Sequence, residues 1–459
     1  MLKRTSLVIM ITTLVSTVAG LPARAAAAAE PVEITWMVGV GPDRPMYEEL
    51  VRRFHEKYPG IRVRPTWVPA SQYQTKLKTM IAAGKPADLF WSGDVWVAYE
   101  IPFLADLTDL VARDAAELDL DDFYPELLAA CRYDGRQILM PRWFNVALLY
   151  YNRKLFDAAR EPYPTADWTW DDYIAAAKRL TRRDRNGKVD VWGTSITTGW
   201  WGEWLIYVRQ AGGELFSGDM NRCLLDSPQA IAGMQFYYDK IYTHQVAPRP
   251  GFGPDQGFMS GKIAMEFGGH VGSWIAYNQI SGLDWDIQVL PKGPVTRSGG
   301  EVSIDSFGIA KDSPHREQTW AFIKFLSSKE SVRLHVENGY LPVRKSVARE
   351  MLLRPDSERA HPRPRNIMAA YEQLKYARQV PRSPDYIEIA LEVIQPDVDR
   401  MLDKQLDVAA TCRSAADAAN RFIRVVGAAR RERSVATVDD ADGGAAEPAT
   451  PAPSPAPAP

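Results

Sequence analysis

The segment from residue 32 to residue 91 alternates between strand-like and helix-like patterns, and this alternation constrains the fold more than any other feature. Runs with a period of two, typical of strands, are separated by runs in which apolar residues recur every three or four positions. The predicted order is strand, helix, strand, helix, strand, over Val32–Val38, Pro45–Lys57, Ile61–Trp67, a helix capped by Ser71, and Ala87–Trp91. This order predicts an α/β fold in which helices cover a parallel sheet.

Tryptophans stand at or near the carboxyl ends of these three strands, where parallel sheets bind their ligands. Trp36 belongs to the first strand, Trp67 ends the second, and Trp91 with Asp94 follows the third. An indole offers a flat apolar face and one N–H donor, so it suits a flat, partly polar ligand as well as a core. Core packing therefore stays open for each tryptophan, and Asp94 has helix capping as its alternative role.

Length and composition predict a soluble globular protein of two or three domains. The chain has 459 residues, of which 46% are hydrophobic and 24% charged, with 14 tryptophans. Its formal charge is −2 at pH 7. It has no block of basic residues, which argues against nucleic acid or an anionic membrane as a partner.

Residues 1–29 are predicted to be a secretory leader. Lys3 and Arg4 are basic, Leu7–Val18 is apolar, and small residues follow. The apolar stretch is shorter than the roughly 20 residues that a membrane span needs, although an uncleaved anchor is the alternative. Because no cysteine precedes Cys131, the predicted cleavage site offers no residue for a lipid anchor. The mature chain is expected to be free in the periplasm.

The three cysteines, Cys131, Cys223 and Cys412, are widely spaced. An exported protein can pair two of them, which would leave one over, and buried free thiols are the favoured interpretation. No Cys-x-x-Cys or Cys/His spacing suggests a metal site, so neither a metal nor another cofactor is predicted.

Three further segments carry candidate residues. Arg142–Asn145 is a polar-aromatic cluster inside an apolar run, 200–204 holds three tryptophans beside two glycines, and 267–274 opens a helix with three glycines. Polar groups within a core strand are costly unless something satisfies them, and a ligand at a domain crossover would do so. Glycines beside such residues let backbone N–H groups approach a ligand, although they serve plain tight turns equally well. The candidates from segments 142–145, 200–204 and 267–274 are Arg142, Trp143, Asn145, Trp200, Trp201, Glu203, His270 and Trp274.

Several short motifs, in a consistent order over about residues 30 to 345, resemble those of a known family. They are Ala87–Phe90, Pro141 with Leu149–Phe156, Thr169–Tyr173, Asp226–Ala230, Phe258–Met265, Ala321–Leu326 and Gly339–Pro342. In these motifs the chain resembles the extracellular solute-binding proteins of bacterial ABC importers, in the family 1 group that includes maltose-type sugar binders.

The resemblance implies a two-lobed, type II-like periplasmic binding protein fold, each lobe a mainly parallel sheet flanked by helices. The lobes would be joined by crossovers at Arg142–Val146, Ser303–Ser306 and Leu341–Lys345. Solute would bind between the lobes of a monomer, which would close by a hinge motion and deliver it to a membrane permease. The implied division is a leader at 1–29, an N-terminal lobe of 30–142 plus 306–341, a C-terminal lobe of 146–303 plus 345–430, and a disordered Ala/Pro-rich tail at 431–459.

The predicted ligand is a mono- or oligosaccharide. Aromatic platforms cover the apolar face of a sugar ring, and Asp, Asn and Arg side chains pair with its hydroxyls, most strongly when one partner is charged. Asp305 and Arg344, at the second and third crossovers, complete the candidate set, which is Trp36, Trp67, Trp91, Asp94, Arg142, Trp143, Asn145, Trp200, Trp201, Glu203, His270, Trp274, Asp305 and Arg344.

Three alternatives stay open. Arg142 and Arg344 suit an anionic solute, such as a sugar acid, a sulfonated sugar or a glycerol phosphate ester, held by a guanidinium fork. A binding component that feeds a sensor instead of a permease has the same sequence pattern. An exported glycoside hydrolase needs two facing carboxylates, but Asp121-Asp122 and Asp171-Asp172 are adjacent pairs at helix starts. The prediction is therefore binding without catalysis.

Overall fold

The computed structural model describes residues 30–41, 43–93, 97–251, 257–270, 273–352, 354, 364–381, 383 and 385–442. The strands in these ranges are β1 (Val32–Val40), β2 (Ile61–Pro69), β3 (Leu89–Gly93), β4 (Arg132–Tyr133), β5 (Arg136–Gln137), β6 (Met140–Asn152), β7 (Arg182–Arg183), β8 (Val189–Val191), β9 (Met265–His270), β10 (Trp285–Gln288) and β11 (Val302–Ile309). The three strands predicted between residues 32 and 91 are confirmed, within about two residues at their ends.

The helices in the same ranges are α1 (Arg44–Lys57), α2 (Tyr73–Ala82), α3 (Val97–Glu100), α4 (Thr108–Arg113), α5 (Ala115–Leu118), α6 (Pro125–Ala130), α7 (Arg153–Ala159), α8 (Trp170–Leu180), α9 (Gly202–Gln210), α10 (Pro228–Tyr242), α11 (Trp274–Asn278), α12 (Arg316–Leu326), α13 (Lys329–Glu337), α14 (Lys345–Leu352), α15 (Met368–Leu374), α16 (Gln395–Lys404) and α17 (Val408–Asp442). A π-helical segment, Glu388–Ile394, precedes α16.

Local signals in the sequence explain where several helices begin. At the start of α8, the Thr169 hydroxyl accepts a hydrogen bond from the Asp172 N–H, and the Asp172 carboxylate accepts one from the Thr169 N–H at 2.9 Å. This reciprocal capping box satisfies two backbone donors that the first turn of a helix leaves without partners. The Ser227 hydroxyl caps α10 by accepting a hydrogen bond from the Ala230 N–H, and Pro228 stands at the first helical position.

Seven strands form one sheet that runs through both lobes, in the order β10-β6-β11-β3-β1-β2, with β9 also paired to β6. β1 lies parallel to β2 and β3, as the alternating pattern predicts. β11 is antiparallel to β3 and β6, and β6 is antiparallel to β9 and β10. The predicted two-lobed α/β class is confirmed, and the antiparallel pairs are those made by the long strands that pass between the lobes.

The described residues form two hydrophobic cores, and the first extends from the first lobe to second-lobe residues such as Tyr150, Trp285 and Ile287. The first surrounds β1–β3 and contains Trp36, Phe54 and Phe322, while the second surrounds α8–α10 and contains Tyr173 and Tyr207. Each sheet face is covered by helices that bury an apolar stripe, which explains why the helical residues recur at intervals of three and four. The crossing strand β6 contributes to both cores, with Leu148 and Tyr150 in the first and Leu149 and Tyr151 in the second.

β6 and β11 contain the first two predicted crossovers and pair antiparallel there. The third predicted crossover, Leu341–Lys345, stays a prediction, as do the lobe boundaries. Beside it, Arg344 bridges to Phe123 and α14 packs on α13. α15 lies against β6 and β10, and Tyr386 is already in the second core.

Three further features bear on the sequence predictions. Cys131, Cys223 and Cys412 are buried free thiols, as favoured, and burial raises the pKa of Cys131 to about 12. Among the described residues, no helix combines the length and apolarity that a membrane crossing requires. α17 continues to Asp442, past the predicted start of the tail at 431, and residues 1–29 and 443–459 lie outside the described ranges.

Candidate ligand-binding cleft

The paired segments of β6 and β11 present two chemically different faces. Ser303 lies opposite Asn145, and Asp305 lies opposite Trp143, so these four partly exposed side chains share one face. The alternate residues, such as Phe144, point to the other face, where Phe144 contacts Tyr371 just after the start of α15. The polar face is therefore the one that opens between the lobes.

A cavity of about 280 Å³ lies in the first lobe against this polar face. It is at the carboxyl ends of β2 and β3, where a parallel sheet is expected to bind ligand. Its lining residues are Ala70, Tyr73, Gln74, Trp91, Ser92, Gly93 and Asp305. The lining combines one aromatic platform with a carboxylate and several hydrogen-bonding groups, which is the mixture that small polar ligands require.

Trp91 is held rigidly in the wall of this cavity. The Tyr73 hydroxyl accepts a hydrogen bond from the backbone N–H of Trp91 at 2.8 Å and donates one to the backbone carbonyl of Trp91 at 3.0 Å. On β1, Gly39 leaves room for the indole, because a Cβ atom there would lie 2.1 Å from the ring. The platform is therefore fixed before any ligand arrives, which reduces the entropy lost on binding.

Arg142 lies beneath this platform as a result of a β-bulge. The register between β6 and β11 shifts between Asp305 and Ser306, and Arg142 is the extra residue that the bulge re-aims. Its guanidinium lies 4.8 Å from the Trp91 ring centroid and 3.7 Å from the Asp305 carboxylate. The side chain is almost fully buried, and its Nε has no hydrogen-bond partner among the described residues.

Aromatic residues enclose Arg142 on its other sides. The rings of Tyr47, Trp143 and Tyr340 lie 5.5–5.8 Å from the guanidinium. Tyr340 also donates a hydrogen bond of 2.6 Å to Asp43, in the loop after β1. Burial lowers the pKa of Arg142, but Tyr47 and Asp305 raise it by more, so the group stays charged. The buried Arg142 guanidinium thus contacts both the Trp91 ring and the Asp305 carboxylate and stabilises their positions in the cavity wall.

The second lobe contributes a stacked pair of tryptophans beside the same polar face of the crossing strands. The rings of Trp200 and Trp201 lie 3.9 Å apart, and Trp200 is 36% exposed whereas Trp201 is fully buried. A smaller cavity of about 30 Å³ adjoins them. It is lined by Ala147, Trp200, Trp201, Gly202, Leu205, Ile206, Arg209, Gly299, Glu301 and Ser303. Ser303 and Asp305 therefore join the two cavities along one strand face.

The charged groups of the second cavity neutralise one another. Arg209 on α9 lies 3.1 Å from the Glu301 carboxylate and 3.3 Å from that of Glu214, and it donates to the Gly299 carbonyl at 3.2 Å. Glu301 also accepts a hydrogen bond from Tyr386 at 2.8 Å. These contacts join α9 to Glu301, just before β11, and through it to Tyr386.

The remaining sequence candidates lie elsewhere or outside the described part of the chain. Trp36 packs against Tyr47 and Phe322 in the first core, and Trp274 is buried, with its indole N–H donating to Tyr150. Trp67 lies beneath the Arg44 guanidinium at 5.1 Å, at the edge of the sheet. Asp94 is outside the described residues, and only the backbone of His270 is described, paired with Ala147.

Two candidate polar residues make buried contacts within a lobe. Glu203 forms an ion pair with Lys240 inside the second lobe. Arg344 lies over the Phe123 ring in the first lobe, where it donates to the carbonyls of Leu118 and Ser327. The cleft thus brings together Trp91, Arg142, Trp143, Asn145, Asp305 and Trp200, and it leaves Trp36, Trp201, Glu203, Trp274 and Arg344 inside the lobes.

The sequence did not point to Tyr73, Gln74, Arg209 or Glu301 as cleft residues. Ser303, which lines the smaller cavity, was also not a predicted site residue, but the sequence held one signal for it: it alternates with Asp305 along a predicted strand. The others come from helices or from a loop end, and they reach the cleft only because of how α2, α9 and β11 pack.

A buried carboxylate, Glu100, lies directly behind the larger cavity. It accepts hydrogen bonds from the Ser92 hydroxyl, from Gln74 at 3.3 Å and from the Gly93 N–H at 3.4 Å. Each of these three donors belongs to a residue that lines the cavity. Burial raises the pKa of Glu100 to about 7, and the nearby Asp305 adds to the shift.

The raised pKa of Glu100 predicts a pH-dependent stability. Since the folded state keeps the proton up to about pH 7 and the unfolded state loses it near its ordinary value of 4.5, stability should fall between these two values. Glu100→Gln should remove this dependence and add about 3 kcal/mol relative to the wild type above pH 7. Urea unfolding from pH 4 to pH 8.5 measures this difference, and parallel profiles for the two proteins would contradict it.

The unequal burial of the stacked tryptophans predicts different effects of their removal. Trp200→Ala should weaken ligand binding about 10–30-fold, because it removes an exposed platform, and should change stability by only about 1 kcal/mol. Trp201→Ala should lower the unfolding free energy by about 3–5 kcal/mol, because it leaves a cavity in the core. Calorimetric titration and urea unfolding separate the two, and unchanged affinity in the Trp200 variant would show its ring to be structural.

The chain is similar in sequence and in fold to known bacterial binding proteins. The family model described as bacterial extracellular solute-binding protein matches residues 41–333. An ABC substrate-binding protein from Listeria monocytogenes, solved in complex with cycloalternan, is 28% identical, with a TM-score of 0.72 over 86% of this chain and 99% of its own. The maltose-bound MalE3 of T. maritima is 26% identical, with a TM-score of 0.66 over 85% and 100%. The sn-glycerol-3-phosphate-binding periplasmic protein of Brucella melitensis is 26% identical over 68% of this chain and 74% of its own.

Proposed function

This chain belongs to the bacterial extracellular solute-binding proteins, and we propose that it captures a neutral mono- or oligosaccharide between its lobes and delivers it to an ABC importer. The single observation that carries the carbohydrate assignment is the polar strand face. Asn145, Ser303 and Asp305 lie on that face, with Trp91 on its first-lobe side and Trp200 on its second-lobe side. Indole rings cover the apolar face of a sugar while the polar groups meet its hydroxyls.

The charges at the cleft favour a neutral ligand over an anionic one. Among the described residues, Arg142 faces Asp305 at 3.7 Å, and Arg209 lies between Glu214 and Glu301. A phosphate would have to displace these carboxylates or lie beside them, and like charges at such distances disfavour binding. A hydroxyl both donates and accepts, so it can bond to Asp305 without disturbing its pairing with Arg142.

A glycerol phosphate ester or a similar anion is the second candidate. Its support is the buried Nε of Arg142, which has no partner among the described residues, together with the similarity to the protein of Brucella melitensis whose name states glycerol phosphate. The relatives solved with cycloalternan and with maltose support the sugar instead. The local charge balance decides for the sugar as the leading candidate.

We propose that the ligand leaves unchanged and that the protein works outside the cytoplasm after removal of residues 1–29. The two adjacent carboxylate pairs named above are helix-start residues, and Asp172 is occupied in the capping box of α8. The only carboxylate lining the larger cavity among the described residues is Asp305, whereas glycoside hydrolysis uses two carboxylates across one bond. Incubation of the bound sugar with the protein should therefore yield no product by chromatography.

A ligand screen tests the proposal most directly. The mature protein should show a raised melting temperature with neutral mono- or oligosaccharides, because a ligand that binds only the folded state stabilises it in proportion to its saturation. Sugar acids and sn-glycerol 3-phosphate form the second panel, and amino acids and peptides form the control panel. A shift with phosphates alone would select the second candidate, and a shift with peptides alone would reject both.

A further inference from the structure

A lysine is fully buried in the second lobe, away from the cleft. Lys240 on α10 has no exposed surface, and the rings of Tyr173, Tyr207 and Tyr237 lie 5.2–5.9 Å from its ammonium group. Its charge is balanced by Glu203 on α9, and it also donates to the Tyr207 hydroxyl at 3.2 Å. A buried ion pair adds little stability over apolar residues of similar volume, so its presence calls for another explanation.

Glu203 connects this ion pair to the aromatic platform. One of its carboxylate oxygens meets Lys240, and the other accepts a hydrogen bond of 2.6 Å from the Thr197 N–H. Thr197 begins the loop that leads to Trp200 and Trp201, and Glu203 lies in the first turn of the helix that follows them. The carboxylate therefore closes the loop 197–203 from its two ends.

Other contacts hold the same loop at neighbouring points. The Tyr237 hydroxyl donates to the Thr197 carbonyl, and the Gly199 N–H donates to the Asp399 carboxylate at 3.1 Å. Tyr237 and Lys240 are one turn apart on α10. Two residues of α10 therefore hold the loop that carries Trp200. Tyr237 binds it directly, and Lys240 binds it through Glu203.

We propose that Lys240 is a positioning residue for the ligand-binding platform, an inference that rests on the proposed function. Lys240 orients and neutralises the Glu203 carboxylate, the carboxylate fixes the Thr197 N–H, and the closed loop holds Trp200 where its exposed face meets the ligand. The position of Trp200 in the second lobe then depends on a cation that the ligand never touches.

The test compares two double variants that differ only in the acceptor at position 203. E203Q/K240M keeps an oxygen that accepts from Thr197 and needs no counterion, whereas E203L/K240M is apolar and has no acceptor. Both remove the buried charges together, so both are expected to fold. The readouts, taken without ligand, are hydrogen exchange of the segment 196–202 and acrylamide quenching of Trp200, obtained by difference from the W200F form of each protein.

The expected result is exchange of the Thr197 amide about 10–100-fold faster in E203L/K240M, with stronger quenching of Trp200, while E203Q/K240M resembles the wild type. The single variant K240M leaves the Glu203 charge without its cation, so its Thr197 amide should exchange faster than in the wild type and in E203Q/K240M. Wild-type exchange in K240M would overturn the role of Lys240. Equal exchange and quenching in the two double variants would overturn the proposal. Because neither readout involves a ligand, a failed ligand screen would leave this result interpretable by itself.

Discussion

Replacing Arg344 by alanine is expected to lower the free energy of unfolding by about 3–5 kcal/mol while leaving ligand affinity unchanged. The side chain is buried in the first lobe, where it donates to the carbonyls of Ser327 at 2.6 Å and Leu118 at 2.9 Å. It also pairs with Asp122 at 3.3 Å. Its removal leaves the two carbonyls without this donor and Asp122 without its buried cation, although Asp122 keeps its hydrogen bonds from Ser346. Buried polar groups that lose their partners are strongly destabilising.

The matched control is Arg333→Ala in the same lobe. Arg333 pairs with Glu350 at 2.7 Å, but both side chains are about 40% exposed, so the loss should be at most about 1 kcal/mol. Urea unfolding measures the stabilities, and titration with the solute found in the screen measures the affinity. A large loss of affinity in the Arg344 variant at full stability would place this residue at the ligand instead.

Replacing Asp305 by alanine is expected to weaken ligand binding about 30–100-fold. Asp305 lines the larger cavity, and its charged hydrogen bonds to ligand hydroxyls are expected to be stronger than neutral ones. The substitution also leaves the buried Arg142 without the carboxylate that lies 3.7 Å away, so some stability is lost as well. Calorimetric titration at a temperature where the variant is fully folded isolates the effect on binding.

Ser303→Ala provides the matched control, because Ser303 lies two residues away on the same face of β11 and lines the smaller cavity. A neutral hydroxyl contributes about 1 kcal/mol, so its loss should weaken binding only about fivefold. If an anionic solute is the true ligand, Asp305→Ala should instead tighten binding, since it removes a repelling charge and frees Arg142. The sign of the change therefore separates the two candidate ligand classes.

The fold could be predicted from local patterns because those patterns have local causes. The alternation between residues 32 and 91 specifies strands and helices through their side-chain periods, and the capping box at Thr169 specifies a helix start through backbone donors within one turn. The crossovers were proposed where polar residues interrupt apolar strands, and the boundaries between the lobes stay a prediction.

The residues of the cleft were only partly predictable, because exposure is a property of packing. Trp200 and Trp201 are neighbours of the same type, yet one meets the cleft and the other fills the second core. Glu203 and Arg344 share the polar character of ligand-binding residues, but their partners, Lys240 and Asp122, are distant in sequence and meet them only in the folded chain.

The sequence by itself determined the α/β class, the strands and helices of the first lobe, and the family, since each follows from short-range periodicity and ordered motifs. The tertiary structure alone decided which polar and aromatic side chains face the cleft. Ligand contact depends on the register between β6 and β11 and on how α9 and α10 pack, and these long-range arrangements leave no mark in any local stretch of sequence.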